Sequence, residues 1–120
     1  MTKFLKQRPN DALDLAYIKT EGSNSLPTVM FLGGFRSDMM GTKAVYLEAQ
    51  CKASGQAYIR FDYRGHGQSG GAFEDACISD WAADALDILN ACTSGDVILV
   101  GSSMGGWISL LLAQNVQLQR

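Results

Sequence analysis

Two serines of this sequence are flanked by glycines at the spacing G-x-S-x-G: Ser103 in GSSMG and Ser69 in GQSGG. A serine at a sharp strand-to-helix turn can attack a carbonyl, and the helix N-terminus then stabilises the negative charge that develops. Ser103 follows the apolar run at residues 96–100 and precedes a helical pattern, whereas Ser69 lies inside a glycine-rich loop. The sequence therefore predicts that Ser103 is a nucleophile and that Ser69 has a structural role.

The two glycines around Ser103 have a steric reason within this interpretation. Side chains at Gly101 and Gly105 would collide with the neighbouring strand and helix, because the turn holds its serine in a strained conformation. Two alternatives remain open, a plain glycine-rich turn and a nucleotide-binding βαβ unit. The nucleotide-binding alternative is weaker, because a dinucleotide fingerprint needs a third glycine where Trp107 stands.

The rest of the chain alternates short apolar runs with helical periodicity. We predict strands at residues 14–20, 28–32, 57–62 and 96–100. Helices are expected from Lys43 to about residue 54 with Thr42 as N-cap, from an N-cap at Ser79, and from Met104 to about residue 115. This alternation predicts an α/β fold, a mostly parallel sheet with helices on both faces in a three-layer αβα sandwich.

Three ordered segments, FLGGF, DYRGHGQSGG and VGSSMGGW, each follow a predicted strand. Their order and spacing resemble the α/β-hydrolase superfamily, from about residue 13 to the end of the sequence. FLGGFRSDMMGTKA followed by RFDYRGHGQSGG is similar to the group that includes alpha/beta hydrolase domain-containing protein 10, described as palmitoyl-protein thioesterases and acyl-glucuronide esterases. The resemblance implies a serine esterase or thioesterase that forms an acyl-enzyme on Ser103 and needs no cofactor.

The resemblance also implies an oxyanion hole built from backbone N–H groups. Its donors would be the N–H of Met104, directly after the nucleophile, and the N–H of Phe35. Gly33 and Gly34 would leave room for the approaching carbonyl, although a plain strand-to-helix turn explains them as well. Four apolar side chains are expected near an acyl or aromatic group of the substrate: Phe35, Met39, Met40 and Met104.

The general base is the point at which the sequence departs from the resemblance. In this fold an Asp or Glu and then a His follow the nucleophile, and the residues after Ser103 contain neither. His66 is the one histidine in the sequence. The sheet order that the resemblance implies places the strand before His66 two strand spacings, about 10 Å, from the nucleophile strand, which is too far for proton transfer. We therefore assign His66 a structural role through hydrogen bonds of its loop.

Residues 1–120 are accordingly expected to be the N-terminal half of one α/β-hydrolase domain, truncated after the nucleophile helix and inactive as a fragment. In such a fragment the strand at residues 97–100 would expose an apolar edge that invites self-association. The alternative function is therefore a non-catalytic α/β lobe that associates with a partner through its open sheet edge.

Several other side chains are expected to be structural. Asp62 and Arg64 would fix the loop after their strand, and Asp38 would bond to nearby backbone. Three acids are expected on a solvated helix face: Asp80, Asp84 and Asp87. The tryptophans Trp81 and Trp107 are expected to pack in the core or against helices. The three cysteines are expected to be small buried apolar residues: Cys51, Cys77 and Cys92.

Composition excludes several functional classes. Ten basic and twelve acidic side chains give a net charge of −2, which offers no basic surface for nucleic acid. No stretch approaches the roughly 18 apolar residues of a membrane span. Three cysteines without a CxxC pair and a single histidine support neither disulfides nor a metal site. With no apolar secretory signal at the N-terminus, the expected location is the cytoplasm, and the expected partner is a small-molecule or acylated-protein ester or thioester.

Overall fold

The computed structural model describes residues 1–6 and 13–119. Eight helices and strands are found in this part of the chain, together with a short 3₁₀ turn at Phe73–Asp75. In chain order they are β1 (Lys3–Lys6), β2 (Asp14–Thr20), β3 (Thr28–Leu32), α1 (Thr42–Ser54), β4 (Tyr58–Phe61), α2 (Ile78–Cys92), β5 (Val97–Gly101) and α3 (Met104–Gln119).

The described strands form one sheet in the order β1-β2-β4-β3-β5. β3 pairs in parallel with β4 and β5, whereas β2 pairs antiparallel with β1 and β4. β1 was not predicted from the sequence, because its four residues KFLK alternate too briefly to be distinguished from a polar segment. The sheet is therefore mixed, with its parallel part at the strands that precede the predicted site.

Two cores, one on each face of the sheet, give the predicted three-layer α/β sandwich. On one face, β-strand residues such as Met30 and Ile59 pack with Ile88 of α2 and Ile108 of α3. On the other face, α1 packs through Ala44 and Cys51 against buried strand residues Val29, Phe31 and Tyr58. The fold class predicted from the sequence is confirmed.

The observed N-caps of α1 and α2 lie one and two residues before the predicted ones. The N-cap of α1 is Gly41 rather than Thr42. The helix ends at Ser54, as predicted, and Gly55 follows it with a left-handed φ of 73°. The N-cap of α2 is Cys77 rather than Ser79, because the Asp80 carboxylate accepts the Cys77 N–H at 3.0 Å. That bond lowers the pKa of Asp80 below its usual range.

The prediction that Asp84 lies on a solvated helix face is wrong. Its side chain is fully buried and accepts the Arg64 backbone N–H at 2.8 Å. Its carboxylate also pairs with the Arg64 guanidinium, with an Nη2–Oδ1 distance of 2.8 Å. The cause is a tertiary partner from the loop after β4, which the helical pattern alone does not reveal.

Packing corrects two further predictions. Trp81 is buried as expected, but Trp107 is 62% exposed and is therefore not a core residue of the described chain. Cys51 is buried, whereas Cys77 is exposed and Cys92 is only partly buried. The apolar character of a residue near the start of a helix does not decide its burial, because the residue can lie on the solvent-facing side of the helix.

Candidate active site

Ser103 lies at the tight turn between the end of β5 and the start of α3. Its φ of 57° is left-handed, an unfavourable conformation for a serine. The turn is held by backbone bonds, in which the Ser102 N–H donates to the Leu32 oxygen at 3.0 Å and the Gly106 N–H donates to the Ser103 oxygen at 2.9 Å. Ser103 is consequently exposed at the carboxyl edge of the sheet and next to a helix N-terminus.

The flanking glycines are required by close backbone contacts. A Cβ at Gly105 would overlap the Leu32 carbonyl oxygen, and a Cβ at Gly101 would overlap the Gly105 carbonyl oxygen. Such overlaps are with backbone, so no side-chain rearrangement could relieve them. The steric reason given for these two glycines in the sequence analysis is confirmed.

The loop after β3 passes directly beside this turn. A Cβ at Gly34 would lie 3.4 Å from the Ser103 Cβ and 3.5 Å from the Ser102 oxygen, whereas a Cβ at Gly33 would meet only the Phe31 side chain, at 3.9 Å. Gly34 therefore lies against Ser103. At Gly33 there is more space, so a side chain there would meet less steric hindrance. Among the hydrogen bonds between described residues, none uses the N–H of Phe35 or of Met104.

The segment after β4 anchors the loop after β3. The buried Asp62 carboxylate accepts the Met39 N–H at 2.7 Å and the Gln68 N–H at 2.9 Å. Burial raises the pKa of Asp62, although both backbone bonds act in the opposite direction. The Tyr63 hydroxyl donates to the Gly33 oxygen at 3.0 Å, and burial raises the pKa of that phenol. Through the Gln68 N–H, Asp62 fixes the loop after β4, as predicted. Through the Met39 N–H it also holds the loop after β3, which was not predicted.

His66 and Ser69 both have structural roles, as predicted. His66 is buried, its Nε2 accepts the Arg36 N–H at 3.1 Å, and its Nδ1 lies 3.1 Å from the Arg64 oxygen. The Ser69 hydroxyl accepts the Ala16 N–H at 2.8 Å and donates to the Asp62 oxygen at 2.6 Å. The sheet order also separates His66 from Ser103 by two strand spacings, since β3 lies between β4 and β5. Neither side chain is free to act at Ser103.

A groove of about 700 Å³ opens beside Ser103, between α1 and the end of β5. Its polar side includes Lys43, whose Nζ donates to the Ser102 hydroxyl at 3.1 Å. This contact was not predicted from the sequence, because it joins residues 59 positions apart. The apolar side is formed by four side chains: Phe31, Tyr46, Leu47 and Val100.

These apolar residues are not the ones that the sequence predicted. Met39 is 1% exposed and packs inside the protein, so it cannot line an open groove. Phe35 is half-exposed, but its ring packs against Phe73 and Trp81 with centroid distances of 5.0 and 5.7 Å. Met40 is exposed and its sulfur lies 3.2 Å from Arg60 Nη1.

No group of three or more metal-ligating side chains occurs within residues 1–6 and 13–119. Over the same described part of the chain, none of the helices combines the length and the apolar character that crossing a bilayer demands.

Residues 29–118 match the family described as the alpha/beta hydrolase family. The mitochondrial palmitoyl-protein thioesterase of Rattus norvegicus is 46% identical over 107 residues, which are 89% of this chain and 35% of that protein. Its Homo sapiens counterpart is 45% identical over 100 residues, 83% of this chain and 32% of that protein. The chain thus spans about a third of the length of these curated relatives.

Two solved structures share the fold closely. Alpha/beta hydrolase domain-containing protein 10 from mouse superposes with a TM-score of 0.88 at 41% identity, over 94% of this chain and 44% of that one. A putative hydrolase from Agrobacterium vitis S4 gives a TM-score of 0.93 at 43% identity, over 100% of this chain and 47% of that one. The resemblance stated from the three sequence motifs is confirmed.

The expected cytoplasmic location is wrong. The relatives from cattle, rat and human carry the word mitochondrial in their names, which points to the mitochondrion instead. The absence of an apolar secretory signal excluded only secretion, because mitochondrial leaders are amphipathic and leave no apolar run.

Proposed function

The chain belongs to the alpha/beta hydrolase family, and we propose that it carries the nucleophile of a serine hydrolase that cleaves carboxylic esters or thioesters. The observation that carries this proposal is the left-handed φ of 57° at Ser103, in a turn whose glycines are sterically required. A strained conformation of this kind is retained where it places a side chain for chemistry. A plain glycine-rich turn would have no need to hold a serine in it.

In the proposed reaction, the Ser103 Oγ attacks the carbonyl carbon of the substrate and its proton passes to a general base. The carbonyl oxygen becomes an oxyanion that accepts hydrogen bonds from the Phe35 and Met104 N–H groups. The C–O or C–S bond then breaks, and the alcohol or thiol leaves with the proton. Water then attacks the acyl carbon and gives one proton to the general base. The bond from the acyl carbon to Ser103 Oγ breaks, the carboxylic acid leaves, and Ser103 Oγ takes the proton back from the base.

We propose that the general base is supplied from outside residues 1–120. Both ring nitrogens of His66 are engaged with backbone atoms, and His66 is the one histidine in the sequence. A serine without a base retains only the acceleration that oxyanion stabilisation and substrate binding supply. Residues 1–120 alone are therefore expected to react orders of magnitude more slowly than a protein in which the general base is also present.

The substrate class is proposed from the groove and the relatives together. The groove beside Ser103 has the apolar wall of Phe31, Leu47 and Val100, which suits an acyl chain. The rat and human relatives are named palmitoyl-protein thioesterases. We accordingly propose long-chain acyl thioesters, including acylated proteins, as substrates.

Hydrolysis of acyl thioesters of increasing chain length tests this function, with the released thiol measured on the protein at its native length. The expected result is a kcat/KM that rises with chain length and falls at least about 10³-fold in Ser103→Ala. Unchanged hydrolysis in Ser103→Ala would reject the proposed nucleophile. A preference for acetyl thioesters would reject the proposed acyl groove and leave the nucleophile standing.

A second candidate function is association without catalysis. β5 lies at one end of the described sheet, and Ile98 on it is 46% exposed. An apolar strand edge of this kind can pair with a strand of another chain. Sedimentation of the chain would then show concentration-dependent dimers, which an Ile98→Lys substitution would disperse while leaving any reaction at Ser103 intact.

A further inference from the structure

The loop after β3 is attached to the segment after β4 at three points, each three residues from the next. In each of the three hydrogen bonds a side chain of the segment after β4 meets a backbone group of the loop. The Tyr63 hydroxyl donates to the Gly33 oxygen at 3.0 Å. His66 Nε2 accepts the Arg36 N–H at 3.1 Å, and Asp62 Oδ1 accepts the Met39 N–H at 2.7 Å. The loop that passes beside Ser103 is therefore held along its whole length by one neighbouring segment.

The middle attachment lies next to the proposed oxyanion donor. Arg36 directly follows Phe35 and has a φ of 59°, in the left-handed region that is unfavourable for a non-glycine residue. Its guanidinium lies 4.7 Å from the Phe73 ring centroid and 5.7 Å from that of Phe35. The bond from the Arg36 N–H to His66 helps to hold this conformation, because an unpaired N–H in the partly buried loop would cost additional free energy.

The contacts of His66 select one tautomer of its ring. The Arg64 carbonyl oxygen can only accept a hydrogen bond, so Nδ1 must carry the proton at that contact. The Arg36 N–H can only donate, so Nε2 must be unprotonated. The ring is 4% exposed and packs edge-on to Trp81 at a centroid distance of 5.2 Å, which fixes its plane.

We propose that His66 is a positioning residue of the hydrolase reaction: its neutral Nδ1–H tautomer fixes Arg36 and so holds the Phe35 N–H where the substrate oxyanion forms at Ser103. This inference rests on the proposed function for the role of Ser103 and Phe35. Donors must lie within about 2.7–3.1 Å of the oxyanion, and displacing them by about half an ångström weakens the stabilisation.

Two substitutions separate the hydrogen bond from the packing of the ring. His66→Phe keeps an aromatic ring among Trp81 and Phe73 but has no acceptor for the Arg36 N–H. His66→Gln can place its amide oxygen near the position of Nε2 and keep the acceptor. Gln68→Ala is the matched control, because Gln68 is exposed on the same loop. Among the described residues its backbone N–H is bonded to Asp62, and its side chain makes no hydrogen bond.

The readouts are the rates of fluorophosphonate labelling of Ser103, resolved into kinact and KI, and amide exchange at Arg36. We expect His66→Phe to lower kinact about 10–100-fold with KI unchanged, since losing an oxyanion donor outright costs about 10²–10³-fold. Exchange at the Arg36 amide should accelerate in the same variant. His66→Gln should largely restore kinact and the slow exchange of the Arg36 amide. Gln68→Ala should match the unsubstituted protein in both readouts. All variants are measured in the protein at its native length.

The ring nitrogens are assigned directly by ¹⁵N chemical shifts, which should show Nδ1 protonated and Nε2 unprotonated. Protonation of Nε2 instead, or equal kinact in the Phe and Gln variants, would overturn the proposal for His66 while leaving Ser103 as nucleophile. If the unsubstituted protein does not label at Ser103, the proposed function fails and this positioning role fails with it. The exchange and ¹⁵N data then still report whether His66 holds Arg36.

Discussion

Gly105 lies so close to Leu32 that a Cβ on the glycine would overlap the carbonyl oxygen of the leucine. The two residues belong to α3 and to the end of β3, so this contact sets how near the helix after Ser103 approaches the neighbouring strand. The Ser102 N–H donates to the same Leu32 oxygen at 3.0 Å. The position of Ser103 therefore depends on backbone contacts on both sides of it.

Gly105→Ala should destabilise the protein by about 2–3 kcal/mol, because the added methyl group forces the helix away from β3. Gly106→Ala is the matched control, since the nearest atom to its Cβ would be the Gly101 oxygen at 4.0 Å. That substitution should be neutral or stabilise the helix by up to about 1 kcal/mol. Urea unfolding of both variants measures the difference, and equal stabilities would contradict the proposed steric role.

Asp84→Asn should lower the free energy of unfolding by about 2 kcal/mol. It removes the charge that pairs with Arg64, and a buried partner left without its counter-charge costs about 3–5 kcal/mol when both groups are fully buried. The Arg64 side chain is 21% exposed, so solvent recovers part of that cost. Asp75→Asn, at an exposed acid of the same loop, should change stability by less than about 0.5 kcal/mol. Thermal or urea unfolding that ranks the two variants equally would show that the ion pair contributes nothing.

The contribution of Asp62 to the free energy of unfolding should change with pH in the opposite sense to that of an ordinary paired carboxylate. Burial raises its pKa in the folded state, so the native protein binds the proton more readily than the unfolded chain. Its contribution to stability is therefore present below the usual pKa of about 3.9 and is lost as pH rises through the raised folded pKa. Asp62→Asn does not titrate at this position, so the stability of the unsubstituted protein relative to this variant should fall as the pH rises above about 4 and through the raised pKa of Asp62. Urea unfolding across that range tests the sign, and a relative stability that increases with pH would contradict it.

The sequence could predict the local features of the site because they depend on neighbours in the chain. The strand and helix around Ser103 are apolar runs of the right length, and Gly101 and Gly105 follow from the turn itself. The structural role of His66 followed instead from the sheet order that the family resemblance implies. These predictions needed no knowledge of which distant side chains meet.

What the sequence could not predict are contacts between residues far apart in the chain. Asp84 has a helical position typical of a solvated face, and only its partner Arg64, 20 residues earlier, makes it a buried residue. The groove beside Ser103 depends on α1 meeting the end of β5, so Lys43 and Ser102 could not be paired in advance. Conversely, Met39 was expected at the site and is instead held inside by the packing of its loop.

The measurement that tests the central claim most directly is fluorophosphonate labelling followed by mass mapping of the modified residue. It is applied to the protein at its native length and to residues 1–120 alone, with Ser103→Ala and Ser69→Ala beside each. Ser69 is the matched control, because it shares the G-x-S-x-G spacing but its hydroxyl is engaged with Ala16 and Asp62. We expect the label on Ser103 in the native-length protein, its loss in Ser103→Ala, its retention in Ser69→Ala and slow or absent labelling of residues 1–120 alone. A label on another serine, or none at native length, would contradict the assignment of Ser103 as the nucleophile.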